Sequence, residues 1–301
     1  MVKIRRLTKY VGVAGENNES VNEFKRYFQE FDEKQNCIKE VEFNPGGEIE
    51  NASGFKYNDQ NKMIEEIHYF DEDEVGEHIK YKLDEEGKRL EIETIYADNT
   101  KSIKRISRSD HSISAQTIDE DGELEGQEWV KFDDKGRPVE EVQLDEERNI
   151  LQRSVFEYND SGNVHARINY GENDEFQMKS LFEYDAQNNL IKLTQLNKKN
   201  KVIASYNYEY DKNGNQVFQQ NNHHLIHTEY DDQGRVIIEE TKNRTNNMIE
   251  KLIEYKYEEH GLVIEERMFS MGDAYQLEPG VLSRTASSFL VTRYEYEFYN
   301  N

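Results

Sequence analysis

Aromatic and polar residues alternate in strings that recur along most of the chain. Five strings carry an aromatic residue at the first and third places and a charged residue between them, at positions 55–58, 156–159, 182–185, 208–211 and 255–258. Side chains two residues apart lie on the same face of a β-strand, so each string predicts a strand with its rings on one side. Weaker copies begin at Phe31, Leu83, Phe132 and Tyr230.

The strings are regularly spaced. Strong and weaker copies together keep a step of 26 residues in two series, Phe31, Tyr57, Leu83 and Phe132, Tyr158, Tyr184, Tyr210. Degenerate copies lie between them, beginning at Phe43, Phe70, Tyr96, Leu144, Tyr170 and Leu196. The repeat unit is therefore about 12 to 14 residues long, with two units in each step of 26.

A turn sequence of the type Asp-x-x-Gly-Asn follows many of the strands, as at 211–215. The Asp side chain can accept hydrogen bonds from backbone N–H groups two residues further on, and Gly tolerates a positive φ. Where Gly is replaced, the substitute is often Asn, as at Asn61, Asn188 and Asn200. Asn is the other residue that adopts this conformation. We therefore predict that a left-handed backbone conformation determines which residues occur at this position.

These patterns predict an all-β fold of tandem antiparallel β-hairpin repeats, with about 26 residues per double unit. A meander of about twenty strands has to curl or close because strands twist. We expect a long, curled β-sheet ribbon or open spiral that forms one domain over 1–301. Regular repeats occupy about 20–270, and 271–301 are expected to form an irregular loop and a capping strand.

The motifs Tyr184-Asp185-x-x-Asn188, Tyr210-Asp211-x-x-Gly214 and Tyr230-Asp231-x-x-Gly234 resemble YD repeats, also called Rhs repeats. The resemblance covers about residues 20–270. It implies a β-sheet ribbon that winds into a hollow shell, and in large bacterial members that shell encloses a C-terminal toxin released by self-cleavage.

This sequence departs from that pattern in two ways. The string most similar to an Asp-Pro-x-Gly-Leu self-cleavage motif, at 259–262, lacks the Asp-Pro, and the last repeat is followed by another strand-like stretch at 294–299. We therefore expect a short open spiral without an enclosed toxin.

The chain is strongly acidic, with 62 Asp and Glu against 38 Lys and Arg and a net charge of −24. Its mean hydropathy of −1.02 would suggest disorder, but 19 Tyr and 14 Phe fit strands that are solvated on one side. The charge disfavours nucleic acid and anionic membranes as partners. A basic protein is an electrostatically suitable partner, although acidity can also serve solubility alone.

Cys37 is the single cysteine, so an intramolecular disulfide and a cysteine-based zinc cluster are excluded. No apolar run of signal-peptide or membrane-spanning length follows the basic start at 1–6. These features predict a soluble, cytoplasmic protein.

Three groups of residues could form sites, and each also has a structural interpretation. His223, His224 and His227 are the densest histidine cluster, but strand residues four apart are roughly 13 Å apart, too far to hold one zinc ion. The acidic strings 71–74 and 119–122 look like fragments of calcium loops, without the full loop pattern. Trp129, the sole Trp, is interpreted as core. Neither a metal nor a cofactor is expected.

The segment 271–290 interrupts the period. Loops that break a repeat often carry binding, so a partner-binding site is predicted at Tyr275, Leu277, Glu278, Val281 and Leu282. The alternative is a cap that covers an open sheet edge.

No linear motif of a nucleophilic or phosphate-binding enzyme is present, and no catalytic residue is predicted. The leading hypothesis is a non-enzymatic β-repeat scaffold that binds a protein partner through its concave face or rim. One alternative is an immunity-like protein that neutralises a basic toxin by acidic mimicry. Another is a β-solenoid that acts on polysaccharide.

Overall fold

The structure is a computed structural model that describes residues 3–14, 20–71, 74–270 and 289–300. These residues form β-strands and one 3-10 helix, Glu172–Asp174. The strands are β1 (Ile4–Ala14), β2 (Ser20–Phe31), β3 (Cys37–Phe43), β4 (Ile49–Tyr57), β5 (Met63–Tyr69), β6 (Val75–Leu83), β7 (Arg89–Tyr96), β8 (Lys101–Ser109), β9 (Ser112–Asp119), β10 (Leu124–Phe132), β11 (Pro138–Leu144), β12 (Ile150–Tyr158), β13 (Val164–Tyr170), β14 (Phe176–Tyr184), β15 (Leu190–Leu196), β16 (Val202–Tyr210), β17 (Gln216–Gln220), β18 (His224–Tyr230), β19 (Val236–Asn243), β20 (Ile249–Tyr257), β21 (Val263–Ser270) and β22 (Phe289–Phe298).

Strands that follow one another in the chain pair with each other in antiparallel fashion. This holds from β6 without interruption to β16, and again from β17 to β22. The predicted all-β character is confirmed.

The prediction of an open ribbon or spiral is wrong. β1 pairs with β2 on one side and with β22 on the other, and its contact with β22 runs from Ile4↔Phe298 to Ala14↔Phe289. The 22-stranded sheet therefore joins its first strand to its last, whereas an open ribbon would leave both as free edges. Closure removes unpaired backbone N–H and C=O groups, which edge strands expose.

Contacts divide the chain into two compact units. The first contains 1–61, 66–76 and 210–301, and the second contains 62–65 and 77–209. The β1–β22 contact lies within the first unit.

Many of the hairpin turns share one backbone geometry, seen clearly between β16 and β17. Gly214 N–H donates to the Asp211 carbonyl at 3.1 Å, and Asp211 N–H donates to the Asn215 carbonyl at 2.9 Å. Gly214 has a φ of 86°, as in a type I turn that ends in a left-handed residue. The predicted substitutes Asn61, Asn188 and Asn200 also have positive φ. The extra residue explains the register shift found where many of the strand pairs meet a turn, as between Glu183 and Tyr184.

The Asp side chain that begins each such turn is occupied within it. Asp211 Oδ1 accepts hydrogen bonds from the N–H groups of Asn213 at 2.8 Å and Asn215 at 2.9 Å. The Asn215 amide donates to Asp211 Oδ2 at 3.0 Å. These bonds, led by the backbone bond from Asn215, hold the pKa of Asp211 below its ordinary value of 3.8.

Replacing Asp211 by Asn is expected to reduce the acid sensitivity of the fold. Because the folded pKa lies below the unfolded one, the contribution of Asp211 is complete above the unfolded pKa and is lost as pH falls through the folded pKa. Asn begins an equivalent turn at Asn159, whose Oδ1 accepts from Asn163 N–H at 2.9 Å, and it does not titrate. Urea unfolding at neutral pH and below about pH 4 should show a smaller loss of unfolding free energy in Asp211→Asn than in the parent. The matched control is Asp232→Asn, and an equal acid sensitivity of both variants would contradict the assignment.

Tyrosines that end a strand tie it to the strand before. Each donates its hydroxyl to the carbonyl of the first residue of the preceding strand, in the pairs Tyr57–Cys37, Tyr158–Pro138, Tyr184–Val164, Tyr230–Gln216 and Tyr257–Val236, at 2.6 to 2.9 Å. The Tyr of the Tyr-Asp motif is therefore a structural hydrogen-bond donor.

Most buried positions among the described residues are occupied by small and medium side chains, and Phe28 is the aromatic residue among them. Ala166 is fully buried and Val41 and Val142 nearly so, and the buried polar residues are Ser and Thr, such as Ser154. Among the described residues no large side chain is fully buried. The strand-ending tyrosines named above are half-buried.

Candidate functional site: an aromatic–lysine pocket

A cavity of about 670 Å³ lies in the first unit, on β2, β3 and β4 with one residue from β5. Its volume is within the range of roughly 300–1,000 Å³ that is usual for ligand sites. We call it the aromatic–lysine pocket, and it is lined by Phe28, Ile38, Lys39, Val41, Phe43, Ile49, Ala52, Ser53, Gly54 and Tyr69.

Strand register brings the apolar floor of the pocket together. Phe28 lies opposite Val41, and Val41 lies opposite Ala52, so the three share one face across β2, β3 and β4. Phe43 and Tyr69 pack against this buried cluster. The rings of Phe28 and Phe43 are 6.0 Å apart between centroids, a separation typical of interacting aromatic pairs.

Cationic side chains surround the Phe28 ring. Lys25 Nζ lies 4.2 Å from the centroid of Phe28 and 4.7 Å from that of Phe43. Lys39 Nζ lies 6.0 Å and the Arg6 guanidinium 5.2 Å from the Phe28 centroid. These separations are within the range of cation–π attraction.

Two of these cations lack a carboxylate partner. Arg6 forms an ion pair with Glu30, but no ion pair of Lys25 or Lys39 occurs among the described residues. Burial, with a smaller contribution from Arg6, lowers the pKa of the Lys25 ammonium. Glu30, which lies opposite Lys39 in the register, acts on the pKa of Lys25 in the opposite direction but is itself ion-paired with Arg6. Two ammonium groups without an ion pair beside an apolar cavity are suited to an apolar ligand with a carboxylate.

A serine, a histidine and a glutamate form a hydrogen-bonded series next to the pocket. Ser53 Oγ is 2.9 Å from His68 Nδ1, and His68 Nε2 is 3.1 Å from Glu66 Oε1. These residue types occur in nucleophilic triads. Here, however, Ser53 lies directly opposite Glu40 in the register, and a carboxylate would destabilise an oxyanion formed at Ser53. The arrangement therefore favours a structural network over acyl transfer.

The residues of the predicted partner-binding loop, Tyr275, Leu277, Glu278, Val281 and Leu282, lie outside the described residues. The aromatic–lysine pocket was not predicted from the sequence. Its residues come from different positions of the repeat, and only the pairing register places them together.

The histidines lie at a shortened hairpin. His223 is in the turn between β17 and β18, closed by a bond from Asn221 N–H to the His224 carbonyl at 3.0 Å. His224 Nε2 is 3.1 Å from Glu250, and the His227 ring is 4.8 Å from that of Phe218. The shorter repeat step is thus accommodated by a tighter turn.

The acidic string 119–122 forms an ordinary hairpin turn, in which Asp119 Oδ1 accepts from Glu123 N–H at 2.8 Å. Two residues of the string 71–74 are outside the described part of the chain. Within the described ranges, no cluster of three or more His, Cys, Asp or Glu is arranged to hold a metal ion. The same ranges contain no helix with the length and apolar character needed to cross a bilayer.

Comparison with known proteins gives structural similarities only. No family profile and no curated protein matches the sequence. Among solved structures, one described as TcdB2-TccC3-Cdc42 matches with 11% identity and a TM-score of 0.42, covering 82% of this chain and 16% of that chain. A porin-like protein from Bacteroides uniformis matches with 10% identity and a TM-score of 0.35, covering 98% of both chains. One from Bacteroides vulgatus matches with 12% identity and a TM-score of 0.27, covering 70% of this chain and 100% of that chain.

The cytoplasmic location predicted from the sequence does not stand. It was based on the absence of a long apolar run, and such a run is needed only by membrane helices.

Proposed function

We propose that this chain is a short YD-repeat protein that acts without catalysis, by binding a protein partner. The family assignment derives from the Tyr-Asp-x-x-Gly and Tyr-Asp-x-x-Asn motifs at a regular step. The partner is bound at the aromatic–lysine pocket through a segment that carries an acidic side chain beside an apolar one.

The observation that carries the proposal is the pairing of an apolar cavity with Lys25 and Lys39, neither of which has an ion pair among the described residues. Apolar side chains of the partner gain free energy by burial against Phe28, Val41 and Phe43. Its carboxylate gains a charge-assisted contact with the ammonium groups, which act in a partly desolvated setting. A basic segment would instead be repelled there.

Neutralisation of a basic toxin by acidic mimicry finds less support. The Asp carboxylates that recur at the turns accept hydrogen bonds from their own turn, as at Asp185, Asp211 and Asp231. Groups already engaged in this way are less available to stand in for phosphates.

The test is a selection of short random peptides displayed against the full chain, followed by fluorescence anisotropy of the selected peptides. We expect enrichment of Asp or Glu next to Phe, Leu or Ile. The double variant Lys25→Glu, Lys39→Glu should bind these peptides at least about tenfold more weakly, since about 1.4 kcal/mol corresponds to a factor of ten. Binding should also weaken as ionic strength rises.

The matched control carries Lys198→Glu and Lys199→Glu, which make the same charge change at an exposed turn. Its affinity should equal that of the parent. Selection of basic peptides, or equal weakening in both double variants, would show that the pocket is not the binding site. Circular dichroism spectra that match the parent are required of both variants.

A further inference from the structure

A second cavity, of about 340 Å³, lies in the other unit on β10 to β13. Most of its polar lining comes from one sheet face. Glu128 pairs with Gln143, Gln143 with Gln152, and Glu141 with Ser154. These residues therefore lie on one face of the sheet, and Trp129 and Val142 belong to the opposite face. Arg167 lies on the same face, because its neighbour two residues on, Asn169, pairs with Ser154.

Arg167 is held in place but leaves one donor unused. One terminal nitrogen of its guanidinium donates to Ser154 Oγ at 3.1 Å, and its carbon lies 5.4 Å from the Phe156 ring centroid. Ser154 is 2% exposed and in turn bonds Asn169 at 3.0 Å. Arg167 Nε is buried and has no hydrogen-bond partner. A buried N–H without an acceptor is costly, but Nε has almost no accessible surface, so a ligand in the cavity contacts the terminal nitrogens of the guanidinium.

The cavity also holds a carboxylate that is not neutralised. Glu128 is paired with Lys104 at 2.6 Å, but no ion pair of Glu141 or Arg167 occurs within the described ranges. Glu141 on β11 and Arg167 on β13 are separated by two strand spacings, roughly 10 Å of backbone, with the small Ser154 between them. Long side chains that reach inward from this separation leave room for a small molecule between a cation and an anion.

We propose that this cavity binds a small zwitterion of the free α-amino acid type. The ligand carboxylate accepts from the terminal N–H groups of the Arg167 guanidinium. The ligand ammonium donates to Glu141, and the amides of Gln143 and Gln152 flank the remainder. A simple anion would leave Glu141 unneutralised, and a simple cation would leave Arg167 unsatisfied. Trp129, whose Nε1 is the other unpaired buried donor, also lines the cavity, although by register it belongs to the opposite face of the sheet.

The experiment is a thermal-shift screen of the full chain against each standard amino acid, followed by calorimetry of the best one. We expect saturable binding of one or a few amino acids. Arg167→Met, which keeps the length but removes the charge, and Glu141→Gln should each weaken that binding more than about tenfold. The amine that lacks the ligand's carboxylate and the acid that lacks its ammonium should both fail to bind.

Glu157→Gln is the matched control, because Glu157 pairs with Ala166 on the opposite face of the same sheet. It should bind like the parent. Absence of saturable heat with every amino acid would overturn the proposal, as would full affinity in Arg167→Met or equal binding of the acid without an ammonium. Because Arg167→Met could affect folding, its unfolding midpoint is measured alongside, and Arg167→Lys supplies a second variant that keeps the charge but loses the guanidinium.

Discussion

Replacing Thr292 by Pro is expected to lower the free energy of unfolding by about 3 kcal/mol or more. Thr292 is 6% exposed and lies in β22 between Val11 of β1 and Glu266 of β21. A strand with neighbours on both sides uses the N–H of every residue, so proline must break a ladder bond in addition to fixing φ. On the edge of an open ribbon the same change would be tolerated far better.

Urea unfolding followed by circular dichroism measures the effect. Two controls separate the loss of a backbone hydrogen bond between strands from other causes of destabilisation. Thr292→Val keeps the backbone bond and the side-chain shape, and it should cost much less. Lys198→Pro places proline at the second residue of the turn that begins at Asn197, a position that favours proline in type I turns, and it should be neutral or slightly stabilising. A Thr292→Pro variant as stable as Lys198→Pro would contradict the β1–β22 pairing.

Phe28→Ala is expected to lower the free energy of unfolding by about 3 kcal/mol. Phe28 is 9% exposed and forms the centre of the cluster with Val41 and Ala52. Truncation removes its apolar contacts and leaves a void beside the aromatic–lysine pocket. It also removes the ring near which Lys25 is placed, so these losses combine at one site.

The same unfolding experiment is run with two comparison variants. Phe28→Leu retains most of the volume and should cost less than Phe28→Ala. Phe70→Ala removes an equal ring from a side chain that is 63% exposed, and it should change stability by less than about 0.5 kcal/mol. Equal losses for Phe28→Ala and Phe70→Ala would show that the cluster is not a core.

Local features of this fold could be predicted because they are encoded in short stretches. The Asp at the start of a turn and the Gly or Asn at its left-handed position are a chemical requirement of that backbone, so the strand order followed from their spacing. Closure could not be predicted in this way. β1 has no aromatic alternation, and its pairing with β22 joins residues such as Leu7 and Tyr296, which no local pattern relates.

The candidate site was less predictable than the strands. Phe28, Val41 and Ala52 meet because of the pairing register, and a shift of one residue would place them on opposite faces. The sequence drew attention to the aromatic residues for their number, but a pocket forms only where small residues such as Ala52 and Gly54 stand next to large ones. The sequence also could not show that Lys25 and Lys39 lack an ion pair, because ion pairing depends on which side chains are close in the folded chain.

The tyrosine hydroxyl bonds have a consequence for how such a protein can change in length. Each of the five bonds named above links a strand end to the start of the strand just before it, as in Tyr184 with Val164, whereas the bond from the Tyr299 hydroxyl to the Phe31 carbonyl belongs to the joint between the first and last strands. Duplication or loss of a whole 26-residue segment would therefore preserve every remaining link. The chain can therefore gain or lose strands in pairs without breaking these hydrogen bonds. Only the pairing between the first and the last strand has to form anew.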